Sequence, residues 1–169
     1  MRLRTILYDR AMRRCRTFAL AAVFAVGVAA PARADITAFV GTNPTPANRL
    51  VRGGAVGVGL LIIGFELEYA ATSEDLIDAA PSLKTGMGNV ILQAPFSDFQ
   101  PYLTTGAGLF HESLGTHSET SFGTNAGGGV KVGLAGPVRL RVDYRVFKLG
   151  SGALHSPAHR IYAGLNLKF

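Results

Sequence analysis

Ten consecutive residues, Val138 to Phe147 (Val-Arg-Leu-Arg-Val-Asp-Tyr-Arg-Val-Phe), leave the chain very little local freedom. Val138, Leu140, Val142, Tyr144 and Val146 share one parity, and Arg139, Arg141, Asp143 and Arg145 share the other. A period of two is the signature of a β-strand with two chemically different faces. Wound as a helix, the same residues would spread charge around the whole circumference and leave no apolar stripe to bury. The pattern does not say whether the apolar face meets a protein core or lipid, so the rest of the chain decides.

Charge first points the wrong way. With 17 Lys and Arg against 11 Asp and Glu, the chain resembles a binder of nucleic acid or anionic surfaces. Arg2, Arg4, Arg10, Arg13, Arg14, Arg16 and Arg33, however, all precede residue 35, which leaves 10 basic and 10 acidic residues from Asp35 onward. The excess is local. A basic opening, an uncharged apolar run from Phe18 to Ala30 and the segment Pro31-Ala32-Arg33-Ala34 read as a secretory signal peptide over residues 1–34, cleaved after Ala34, with Met12 as an alternative start. The run of 13 residues falls short of the roughly 20 that span a bilayer. Cys15, the single cysteine, lies in this leader, so the mature chain has no disulfide, thiol chemistry or cysteine metal site.

Beyond the leader, eight alternating segments are predicted, at about 36–41, 54–60, 63–71, 84–94, 100–111, 122–134, 138–147 and 160–169. In the third, Phe65, Leu67 and Tyr69 oppose Glu66 and Glu68; in the sixth, Val130, Val132 and Leu134 oppose Lys131. The connections are expected to alternate long and short, with long ones before Gly54, at Thr72 to Leu83, at Glu112 to Ser121 and at Lys148 to His159. In an up-and-down sheet this places the long loops at one end and the tight turns with both termini at the other. No amphipathic helix or second set of strands remains to cover the apolar faces. Closure into a ring satisfies every backbone group without a second layer, as lipid demands. The predicted fold is therefore all-β: an eight-stranded antiparallel up-and-down transmembrane β-barrel over residues 35–169, apolar outside and polar within. A soluble lipocalin-like barrel is the competing architecture.

The chain resembles the eight-stranded outer-membrane barrel family that includes the OmpA membrane domain and OmpX. The likeness rests on Pro101-Tyr102 leading into Gly106-Ala107-Gly108, on Asn125 to Lys131, on Arg139 to Tyr144 and on the terminal alternation that closes on Phe169. The resemblance implies location in the cell outer membrane after export. It also implies contact with outer-membrane lipid and lipopolysaccharide, periplasmic chaperones and the barrel assembly machinery, and a monomer. Ile161, Ala163, Leu165, Leu167 and Phe169 occupy the positions of that family's C-terminal assembly signal, with Leu167 where an aromatic residue is common.

Within so narrow a bore, Glu66, Glu68, Lys131, Arg139, Arg141, Asp143 and Arg145 are expected to form a lumen charge network, the glutamates facing the arginines of the seventh strand. Tyr69, Tyr102 and Tyr144 are candidates for interfacial girdles, although Tyr102 has the parity of its neighbouring glycines and can face inward. The function expected is a structural or narrow-pore, porin-like membrane protein, with a surface adhesion barrel acting through its loops as an alternative. A second alternative rests on His111 and Ser113, two apart with Glu112 between them, which resemble the His-x-Ser element of lipid A deacylases. Leu114 stands where that family has asparagine. His111, His117 and Glu119 are metal-ligating types in one predicted loop without diagnostic spacing. No cofactor, catalytic residue, metal site or nucleic-acid partner is assigned.

Overall fold

The computed structural model describes residues 33–95 and 98–169. Eight strands run β1 (Arg33–Asn43), β2 (Arg49–Leu60), β3 (Ile63–Thr72), β4 (Ser82–Gln93), β5 (Phe99–Leu114), β6 (His117–Ala135), β7 (Val138–Leu149) and β8 (Ala158–Lys168). Each pairs antiparallel with its neighbour, and β1 pairs with β8 from Asp35↔Lys168 to Thr42↔Ile161, which closes the ring. The leader lies outside the described residues, except that Arg33 and Ala34 already pair with Gly59 and Val58 in β1.

Alternation sorts the side chains as the period of two requires. On β7, Arg139, Arg141, Asp143 and Arg145 are buried, while Leu140, Val142 and Tyr144 are exposed on the outside. β3 repeats this with Glu66 and Glu68 inside and Phe65, Leu67 and Tyr69 outside.

Two expectations about the connections are corrected. Glu112 to Ser121 is not a long loop: β5 and β6 continue as a hairpin to a two-residue turn at Gly115-Thr116, where Gly115 takes φ 57°. Glycine at the first position of such a turn supplies the positive φ that tight hairpins need. The first connection also shrinks, to residues 44–48, because β1 and β2 extend upward through Asn43↔Arg49. Strict alternation of long and short therefore fails, although the longer connections 73–81 and 150–157 share the end away from the termini.

Glycine matters most where the curvature of the wall brings strands together on its inner side. A Cβ at Gly129 would run into the Val142 carbonyl and the Tyr102 hydroxyl, whereas one at Gly86, on the outer face, meets nothing within 4 Å. Gly129→Ala is expected to destabilise the barrel by about 1–3 kcal/mol, against about 0.5 kcal/mol or less for Gly86→Ala. Urea unfolding of the two variants in detergent measures the difference, and equal midpoints would refute the crowding argument.

Candidate functional site

The lumen is filled in two layers. Nearer the termini lies a polar layer built on β1, β3, β5, β6, β7 and β8. Arg141 is fully buried and donates to both oxygens of Glu66, to Asp143 Oδ2 at 3.2 Å and, through Nε, to the Tyr102 hydroxyl at 2.7 Å. Arg145 reaches Glu66 Oε1 at 2.9 Å, Glu68 Oε2 at 3.1 Å and Asp143 Oδ1 at 2.9 Å. Arg160 pairs with Glu68 at 3.0 Å and donates to Thr85 at 2.9 Å. Closer to the tight turns at the end of the termini, Lys131 holds Asp35 at 2.6 Å, and Arg139 bonds Asn166 and Gln100 at 3.0 and 2.9 Å. The Tyr102 hydroxyl donates in turn to Asp143.

All seven residues expected in the lumen thus lie there, and β3 and β7 meet across the bore through Arg141–Glu66, Arg145–Glu66 and Arg145–Glu68. Asp35, Arg160 and Tyr162 join the network beyond those seven. Arg160 carries a readable signal, since it shares parity with the inward Tyr162 and Asn166. Tyr102 is buried and belongs to this network rather than to a girdle; Tyr69 and Tyr144 are exposed on the outer face. The network sets four acids (Asp35, Glu66, Glu68, Asp143) against five bases (Lys131, Arg139, Arg141, Arg145, Arg160). Near-balance with several hydrogen bonds per group is what makes burial of so many ions tolerable.

Above it lies a layer that the expectation of a polar interior missed. Leu83, Met87, Phe110, Phe147, Leu149 and Ala158 form one buried apolar cluster, and Phe39, Val51, Ala70 and Tyr162 form another. Most of these residues lie on their strands just beyond the polar group nearest them, further from the termini: Phe147 follows Arg145, and Phe39 follows Thr37. The layers interlock, with Phe39 stacked on Tyr162 at 4.0 Å between ring centroids and the Arg160 guanidinium over Phe147 at 4.3 Å. At the mouth, Arg49 donates to the Thr45 carbonyl at 2.8 Å and also to that of Pro81, and Glu112 accepts from the Leu154 amide at 2.8 Å.

The His-x-Ser element does not assemble a nucleophile and base. His111 and Ser113 are on the outer face of β5, where His111 Nδ1 meets Thr120 Oγ1 at 2.7 Å and Ser113 meets Ser82 at 2.9 Å. Glu112 is turned into the barrel, and Glu119, its cross-strand neighbour, shares that inner face. Among the described residues no carboxylate orients His111. His111 and Glu119 likewise lie on opposite faces, and among the described residues no three metal-ligating side chains converge.

No protein-family model and no curated protein matches the sequence. Solved structures do match. The N-terminal β-barrel domain of Pseudomonas aeruginosa OprF superposes with a TM-score of 0.63 at 16% identity, covering 81% of this chain and 97% of that domain. The neisserial surface protein NspA gives 0.62 at 20% identity, over 82% and 96%. The Yersinia pestis outer membrane protein Ail gives 0.53 at 13%, over 81% and 99%. Closed eight-strand topology, an apolar exterior and these superpositions together identify the architecture: the chain has the fold of the eight-stranded outer-membrane β-barrels of the OmpA and OmpX type.

Proposed function

We propose that residues 35–169 form an integral outer-membrane barrel with a structural, non-conducting role, exported by the leader and inserted with its C-terminal strand as assembly signal. The observation that carries this reading is the stacking of two seals in series, an ion-paired layer and an apolar layer, in one bore. Ions crossing the first would have to break charge-assisted pairs, and crossing the second would shed water against phenylalanine and leucine. The exterior supports placement in lipid. Ile36, Val56, Phe65, Leu67, Leu103, Leu109, Leu140 and Leu165 are all exposed there, a continuous apolar surface far beyond what a soluble monomer presents. Ile161, Ala163, Leu165, Leu167 and Phe169 project from this same face, where an assembly receptor or lipid can read them.

The test is single-channel recording of the refolded mature chain in planar bilayers, with folding verified by heat-modifiable electrophoretic mobility. Folded protein is expected to give no discrete conductance steps. Reproducible steps from the unmodified chain would replace this reading with a narrow pore.

A further inference from the structure

The five bases and four acids of the bore leave one charge unmatched, and the structure localises it. Arg141, Arg145 and Arg160 stand against Glu66, Glu68 and Asp143, three against three. The excess therefore falls at the end of the tight turns, where Lys131 and Arg139 share the single carboxylate of Asp35 at 2.6 and 3.7 Å. A third cation joins them. Lys168 is the cross-strand neighbour of Asp35 on the β1–β8 seam, has the inward parity of Tyr162 and Asn166, and makes no ion pair among the described residues. Three inward cations on β6, β7 and β8 thus face one acid, a surplus of two.

Their donors are not used up. Arg139 gives Nε to Asn166 and Nη1 to Gln100, and its Nη2 has no hydrogen bond among the described residues. Lys131 directs one of its three donors at Asp35. Among the described residues no other acid restores the balance. Asp98 is exposed on the turn before β5 and pairs with no described cation. The chain termini cancel, because the Phe169 carboxylate and the α-ammonium that cleavage after Ala34 leaves on Asp35 are neighbours across the seam. The facing strands β2 and β3 line the mouth with glycine, at Gly57, Gly59 and Gly64, and Asp35 and Gln93 lean over the first two.

We propose that the turn-end mouth of the bore binds a phosphate group, held by Arg139 Nη2, Lys131 and Lys168. Charge selects the ligand. Inorganic phosphate or a phosphate monoester carries about −1.5 to −2 charges near pH 7 and cancels the surplus in one group, whereas chloride or a carboxylate carries one. Arginine and lysine are also the donors that phosphate oxygens accept best. Burial strengthens the demand, since Lys131 and Arg139 are 1% and 5% exposed and an unmatched buried charge is costly. A phosphate held there closes the bore beneath the ion-paired layer, in keeping with a non-conducting barrel. The site stands on the geometry of the lumen. Its source, a phospholipid headgroup at that end or a soluble phosphate, rests on the membrane placement above.

The test is calorimetric titration of the mature protein in nonionic detergent with sodium phosphate, ionic strength being held constant with chloride and folding verified by heat-modifiable mobility. Saturable binding of a single phosphate is expected. Lys168→Gln, at a half-buried position, is expected to weaken it about fivefold, the upper value for a partly exposed charge pair. Asp35→Asn removes the competing acid and is expected to tighten binding by a similar factor. Lys148→Gln, outward and at the other end of β7, should bind like the unmodified protein. Repeating the titration in nanodiscs with and without phosphatidic acid identifies the source. Loss of phosphate binding in the presence of that lipid assigns the site to a headgroup, and unchanged binding assigns it to soluble phosphate. Absence of saturable binding to the unmodified protein, equal losses in Lys148→Gln and Lys168→Gln, or weaker binding in a folded Asp35→Asn variant overturns the site. Recovery of the protein outside the outer membrane refutes the placement and leaves the phosphate site standing.

Discussion

Arg141→Ala will cost the folded barrel about 3–5 kcal/mol, the range for removing one partner from a buried ion pair. Arg141 is fully buried and joins Glu66, Asp143 and the Tyr102 hydroxyl, so its loss leaves each with fewer donors in a site that water does not reach. It also removes the cation seated between two rings, 5.0 Å from the Tyr102 centroid and 5.6 Å from that of Tyr162. Glu66 keeps Arg145 at 2.9 Å, which limits the penalty without abolishing it. Urea unfolding in detergent supplies the number. The pairing itself is tested by a cycle: Glu66→Gln should cost less in an Arg141→Met background than alone, with a coupling of about 0.5–3 kcal/mol. Additive effects, or a loss for Arg141→Ala below about 1 kcal/mol, a surface-residue value, would mean that the network is not a cooperative unit.

Much of this site can be read from parity. Once Val138 to Phe147 is a strand with arginines on one face, membership of Arg139, Arg141, Asp143 and Arg145 in the lumen follows, as it does for Glu66 and Glu68 on β3. Their partners are harder to read. Neighbouring strands are matched by register, but β3 and β7 stand on opposite walls, and which residues meet across the bore depends on strand tilt and stagger. The apolar layer was legible in principle: Phe147 and Leu149 have the parity of the arginines they follow. What hid it was the assumption that a lipid-facing exterior requires a polar interior, whereas a sealed bore can be dry. The β5–β6 hairpin was hidden by composition. From His111 to Ser121 the only large apolar residue is Leu114: Glu112 turns into the barrel, and past Ser113, where pairing with β4 ends, the hairpin rises beyond the wall, so the segment lacks the apolar alternation that marks the other strands.

The two layers also predict an asymmetry between stability and leakage. Phe147→Ala is expected to cost about 3–5 kcal/mol, because the ring is buried among Leu83, Met87, Phe110 and Leu149 and carries the Arg160 guanidinium at 4.3 Å. It should nevertheless remain electrically silent, since the Arg141–Glu66–Arg145 layer beneath is intact. Arg141→Ala should be silent for the converse reason, the apolar layer standing above the gap. Only Arg141→Ala combined with Phe147→Ala opens both layers, and that variant is expected to give conductance steps in planar bilayers where each single variant gives none. Steps in Arg141→Ala alone would show that the apolar cluster does not seal. Steps in Phe147→Ala alone would show that the ions do not. Silence in a combined variant of verified fold would place the barrier elsewhere in the bore, with the mouth closure of Arg49 against the carbonyls of Thr45 and Pro81 the next element to break.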